Sequence, residues 1–236
     1  MKKAILNWSG GKDATLSLYK IQQAQEYKIE CLFTTISAEL RRITMHGVRE
    51  SLLRQQAAAL GLPLQILPLP SSTNMELYNQ LMQEQMTAFV EAGITASIFG
   101  DLHLADLKAY RDKELANIGL QGVFPIWQQP VKETIEEFIG LGFKAIVVCV
   151  NARYLSEEFV GRVIDADFIH ELPANVDVCG EYGEFHSFVF DGPNFQQPVL
   201  FEKGAVIYKE YPTEEENPPY DTGFYFQELL PFLSKE

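Results

Sequence analysis

Near the start of the chain, Ser9-Gly10-Gly11-Lys12-Asp13 sets two glycines between a hydroxyl and a cation–carboxylate pair. Paired glycines let a backbone take positive φ and approach a ligand closely. Successive N–H groups in such a turn form an anion-binding concavity, and an ammonium adds a point charge suited to phosphate. A second cluster, Gly180-Glu181-Tyr182-Gly183-Glu184-Phe185-His186, brings two carboxylates and an imidazole together beside glycines. Those groups suit substrate orientation, Mg2+ contact or proton transfer; a hairpin with solvent-facing acids is the plainer alternative. A third is Gly100-Asp101-Leu102-His103. Asp101 could meet Mg2+ or a substrate amine, or cap the next helix, and His103 could cap that helix or touch phosphate. Tyr110 and Arg111, two turns on, could reach the same place. Glu39, Arg41, Arg42 and His46 form either a substrate gate or a solvated loop, and Arg153 is a further candidate anion contact.

These groups need elements to position them. Ala4–Trp8 is a short apolar run of the kind that forms a buried strand. From Asp13 the apolar spacing turns helical, through Ala14, Leu18 and Ile21. A strand, a glycine turn and a helix aim backbone N–H groups and the positive end of a helix dipole at an anion. Further strands are expected at 31–37, 64–67, 95–99 and 122–127. Helices are expected at 46–60, at 103–118, and from a capping box Thr73–Glu76 to Gly93. Alternating strands and helices predict a parallel sheet with its ligand site where the strand order reverses, beyond the strand ends that carry Ser9–Asp13, Ser37 and Gly100-Asp101. Past Pro125 the character changes: a helix at 131–141, a strand at 144–150, a helix at 157–164, strands at 185–190 and 198–208, and a short helix at 224–232. An acidic loop, Glu214-Glu-Glu-Asn-Pro-Pro, precedes that last helix. The expected domains are 1–127 and 128–236.

The chain has 236 residues, 47% of them hydrophobic, and a net charge of −13. That acidity disfavours extended nucleic-acid binding, which relies on clustered Lys and Arg. Three scattered cysteines make no Cys-x-x-Cys pair, against zinc, iron–sulfur or disulfide chemistry. No apolar run approaches the roughly 20 residues that span a bilayer, and the N-terminus is not a signal peptide. A soluble, cytoplasmic protein without membrane partners is expected. Pairing into a homodimer is open to it, since α/β subunits commonly pair.

Two better-known phosphate motifs fail. Leu6 stands where a Walker A loop needs its first glycine, and the Gly-x-Gly-x-x-Gly fingerprint is absent. Ser9–Ala14 instead resembles the PP-loop, Ser-Gly-Gly-x-Asp-Ser/Thr, of adenine nucleotide α-hydrolase enzymes, with Ala14 in place of the hydroxyl. The resemblance implies a Rossmann-like, adenine nucleotide α-hydrolase-like α/β domain that binds ATP, holds its pyrophosphate on the loop and transfers AMP. On that reading Ser9, Gly10, Gly11, Lys12, Asp13, Thr15, Ser37 and Gly100 contact the nucleotide, Thr15 replacing the missing hydroxyl.

Taken with Gly180–His186 and Asp191-Gly192-Pro193, the loop and Gly100-Asp101 resemble the diphthine–ammonia ligase family over nearly the whole chain. That implies a smaller C-terminal α/β domain shaping the substrate cleft. It also implies an ATP-dependent, AMP-forming amide ligase: a carboxylate, small or protein-borne, is adenylated and meets ammonia. With no room for a glutaminase domain, ammonia would be free or partner-delivered. The candidate catalytic residues are Lys12, Asp13, Asp101, Glu181, Glu184 and His186, with Mg2+ on Asp13 and Asp101. His186 and the Thr44–Val48 segment resemble the family's bacterial branch, part of which is linked to cobalamin salvage. An ATP-binding protein of cobalamin-related metabolism and a non-catalytic nucleotide sensor are the alternatives.

Overall fold

A computed structural model describes residues 1–43, 46–211 and 223–232. The acidic segment from Glu214, and Thr44 and Met45 of the Thr44–Val48 segment, lie outside them.

The first half alternates β1 (Lys2–Asn7), α1 (Lys12–Ala24), β2 (Tyr27–Ser37), α2 (Glu50–Ala59) and β3 (Leu64–Leu69). It continues with α3 (Met75–Glu91), β4 (Ala96–Ile98), α4 (Ala105–Asn117) and β5 (Gln121–Val123). The five strands are all parallel, in the order β3-β2-β1-β4-β5. The order therefore reverses between β1 and β4, the place where such sheets leave a crevice. β1 is buried on both faces at Ala4, Ile5 and Leu6, as a central parallel strand must be. At its end Asn7 Nδ2 donates to Ser97 Oγ (2.8 Å) and to the Ile98 carbonyl (2.9 Å), tying the two strand ends that flank the reversal.

The second half holds α5 (Val131–Gly140), β6 (Lys144–Asn151), a 3-10 turn (Glu157–Phe159) and α6 (Ala166–Glu171). Then come β7 (Phe185–Asp191), β8 (Phe201–Glu210) and β9 (Gly223–Pro231), and the sheet is antiparallel in the order β7-β6-β9-β8. The apolar core runs across both halves: Ile146, Val148, Phe188 and Leu229 pack in one cluster with Leu6, Trp8, Leu18 and Leu53. A second joins Leu16 of α1 to Phe138, Phe143 and Phe185. The two sheets share their interior at α1.

Several expected elements are corrected. The segment expected as a helix at 224–232 is β9, because pairing with β6 on one side and β8 on the other satisfies its backbone. The helix expected at 46–60 starts at Glu50. Arg42 instead bridges to Ser37 and to Arg49, the residue that precedes the helix. Only a 3-10 turn forms in 157–164, and the helix comes later, capped by Asp165. The expected capping box is replaced by Asn74, whose side chain accepts from the Leu77 amide at 2.9 Å. Beyond Val123 the expected strand is a turn.

Candidate functional site

The loop between β1 and α1 owes its shape to local sequence and to a strand of the other half. Gly10 adopts φ +77, where a Cβ would be strained and would also lie 2.8 Å from Gln56 Oε1. Its carbonyl turns away from solvent and accepts from the Val189 amide of β7 (2.9 Å) and from Gln56 Nε2 (3.0 Å). Gln56 is fully buried; it also donates to the Val189 carbonyl at 2.6 Å and accepts from Trp8 Nε1 at 2.8 Å. Gly11 caps α1, its amide donating to Ser9 Oγ (3.2 Å), while the Lys12 amide donates to Ser187 Oγ (3.1 Å). The amides of Asp13 and Ala14 make no hydrogen bond among the described residues. They are the uncapped donors of a helix N-terminus, held at its positive end.

These groups face a cavity of about 1030 Å³ at the sheet's reversal point. Ser9, Gly11, Lys12 and Asp13 line it from β1 and α1, Gly100, Asp101, Tyr110 and Arg111 from β4 and α4. Glu181, Ser187 and His186 line it from the second half, and His46 from the loop after β2. Phe33, Phe99, Tyr78, Met82 and Met86 add an apolar part to its lining. The site thus combines an apolar wall with a few convergent polar groups, the usual composition of a small-molecule site.

Its electrostatics are those of opposed charges in a confined space. Lys12 is almost wholly buried and its ammonium lies 2.7 Å from Asp13 Oδ2. Burial would lower the Lys12 pKa, but Asp13, with Cys179 and Glu181 behind it, holds it above the ordinary value. Asp101 pairs with Arg111, whose guanidinium lies over the Phe99 ring at 4.4 Å. Burial nevertheless raises the Asp101 pKa and lowers that of Arg111. Glu181 Oε1 accepts from the Leu102 and His103 amides, both at 3.0 Å, so the second half pins the chain leaving β4. Burial, reinforced by Asp13, raises the Glu181 pKa. The His46 and His186 rings lie 4.7 Å apart. Burial beside Lys12 pushes His46 down to about 4 and His186 well below its ordinary value. Both imidazoles are neutral near pH 7, and among the described residues His186 Nε2 has no hydrogen-bond partner.

Several candidate residues do not line the cavity: Glu39, Arg41, Arg42, His103 and Arg153, and with them Gly10, Thr15, Ser37 and Glu184. Gly10 shapes the loop from behind. Thr15 is wholly buried, its hydroxyl donating to the Gly11 carbonyl at 2.8 Å, and so does not replace a loop hydroxyl. Ser37 closes a turn, its Oγ accepting from the Leu40 amide at 3.1 Å. Glu184 braces the 177–184 turn by accepting from the Asp177 amide (3.1 Å) and the Tyr182 amide (3.0 Å). Gly100 lines the cavity for a packing reason: a Cβ there would lie 2.7 Å from the Ala14 nitrogen. Nor does Asp101 cap α4, whose N-cap position is Leu104. Ser187, Gln56 and the apolar wall are the residues sequence reasoning missed. Alternation along β7 identifies the Ser187 face, but nothing local says which element that face meets.

Comparison with known proteins identifies the family. Residues 1–122 match the family model of the diphthamide synthase N-terminal domain, and residues 130–211 match that of the diphthamide synthase C-terminal domain. A diphthine–ammonia ligase of Danio rerio is 23% identical over 224 residues, covering 84% of this chain and 86% of that protein. One from Bos taurus is 27% identical over 110 residues, covering 44% of this chain. That match spans 41% of the cattle protein's length. Among solved structures, a tRNA thiolase from Methanococcus maripaludis aligns with a TM-score of 0.37 and 16% identity. That alignment covers 60% of this chain and 58% of the thiolase. The chain belongs to the diphthamide synthase family.

Proposed function

We propose that this member of the diphthamide synthase family is an ATP-dependent ligase that adenylates a carboxylate and passes the acyl group to ammonia. The observation that carries the reading is convergence. Loop amides, Lys12 and the Asp101–Arg111 pair meet in one cavity with the second half's Glu181 and His186. The relatives named diphthine–ammonia ligase support the same class of reaction.

In this reading the β- and γ-phosphates of ATP sit on the Asp13 and Ala14 amides with Lys12 beside them, and the adenine lies toward the apolar wall. A carboxylate oxygen of the substrate attacks the α-phosphorus. The bond to the bridging oxygen breaks, and pyrophosphate leaves with its charge held by the loop. Ammonia then attacks the acyl carbon, AMP departs, and the amine loses a proton. Water or a second ammonia takes that proton, since burial holds the pKa of the His186 imidazole well below its ordinary value. Catalysis of this kind is mostly positioning and charge stabilisation. Asp13 and Asp101 carry the hard oxygen donors that Mg2+ takes. Among the described residues no group of three or more His, Cys, Asp or Glu side chains is arranged for a metal. Phosphates and water would complete the coordination, as is usual for Mg2+; bound there, the ion neutralises phosphate charge.

A nucleotide sensor would bind ATP without turnover. The two readings separate on the fate of the carboxylate oxygen. When the acceptor carboxylate carries 18O, one labelled oxygen is expected in the AMP, read by mass spectrometry; unlabelled AMP would contradict adenylation.

A further inference from the structure

We propose that Ser187 is a phosphate-binding residue, its hydroxyl donating to the anion seated on the β1–α1 loop, so that the second half completes the anion site. The inference rests on the ATP reading above and deepens it.

Ser187 lies on β7, 175 residues from Lys12 in sequence, yet its Oγ accepts the Lys12 amide at 3.1 Å. A serine hydroxyl has one hydrogen to give as well as lone pairs to accept with. That hydrogen has no acceptor among the described residues, although Ser187 is only 3% exposed and lines the cavity. A buried hydroxyl with an unspent donor facing a cavity is a costly arrangement unless a ligand takes it up. The one hydroxyl in the first turn of α1 is already spent, Thr15 donating to Gly11. Ala14, in the first helical turn, offers none.

The strand is fixed against the loop. Val189 binds the Gly10 carbonyl, and the Ser187 carbonyl lies 3.1 Å from His46 Nδ1. Alternation puts Ser187 on the face of β7 that carries Phe185, whose ring lies 5.8 Å from the Lys12 ammonium. Ser187 therefore holds a backbone donor of the loop and shares a strand face with a ring that packs near the Lys12 ammonium, with its position set before any ligand arrives.

Calorimetric titration of the full chain with inorganic pyrophosphate, ATP and AMP tests this. Ser187→Ala is expected to weaken pyrophosphate and ATP about tenfold, the loss of one hydrogen bond to a charged group, and to leave AMP unchanged. Ser187→Thr keeps the hydroxyl and should stay near wild type. If the alanine variant does not fold, Ser187→Cys asks the same question with a weak donor of similar shape. Unchanged pyrophosphate affinity in a folded variant, or equal weakening of AMP, overturns the role of Ser187 and leaves ATP binding standing. A wild-type chain that binds neither pyrophosphate nor ATP overturns both.

Discussion

A Cβ on Gly100 would lie 2.7 Å from the amide nitrogen of Ala14 and 2.8 Å from the Asp13 carbonyl carbon. The end of β4 and the first turn of α1 meet backbone to backbone, and that contact sets the width of the crevice between β1 and β4. Backbone atoms cannot swing aside as a flexible side chain can. Gly100→Ala is therefore expected to push the two elements apart, destabilising the fold by about 1–3 kcal/mol as overpacking does, and to weaken ATP binding. Urea denaturation and a nucleotide titration check both; an unchanged midpoint would mean the crevice has room to give.

Gln56 joins three parts of the site through its one amide: Trp8, Gly10 and Val189. Replacing it with the similarly shaped Met leaves the indole N–H and the Val189 carbonyl buried without a partner. A loss of about 2–3 kcal/mol is expected, with a change in Trp8 fluorescence. A neutral result would show that water enters to replace the amide.

The β1–loop–α1 unit was legible because its signals are local: an apolar run, two glycines, then helical spacing from Ala14 to Ile21. Strand–helix alternation predicts a parallel sheet with a reversal point but not which strands flank it: Ser37, at the end of β2, is expected at the site and lies off it. What escaped was set at long range. Phe224–Phe232 carries no clear period, and only docking between β6 and β8 makes it a strand. Glu181 and Glu184 look alike in sequence. One accepts from the chain after β4 and the other from its own turn, partners that only the folded chain assigns. Ser187 carries no local signal between His186 and Phe188, and its meaning lies in the loop that packs on it.

His46 gives the fold a signed dependence on pH. Burial and the nearby Lys12 charge hold its pKa near 4, against an ordinary value of 6.5. The unfolded chain takes up a proton below 6.5 that the folded protein refuses until about 4, so stability present above 6.5 is lost as pH falls through that window. The contribution is about 1–2 kcal/mol between pH 7 and 5. His46→Gln should flatten the slope of unfolding free energy against pH there. An unchanged slope would mean His46 is freely protonated in the native state.

Lys12 is the buried cation of the loop, and its partner Asp13 alone is a poor reason to bury it. Lys12→Met keeps the stem and removes the charge. About a tenfold or greater loss of ATP affinity is expected, with AMP much less affected. Equal loss for both nucleotides would place the lysine in folding rather than in phosphate binding.

The most direct measurement is to incubate the protein with Mg2+, ATP, ammonium and a panel of carboxylates, and to identify the nucleotide released. AMP with pyrophosphate is the expected pair, formed faster when a suitable carboxylate is present and lost in Lys12→Met. ADP with phosphate would contradict the central claim, because the loop would then be gripping a group that stays with the nucleotide rather than the one that leaves.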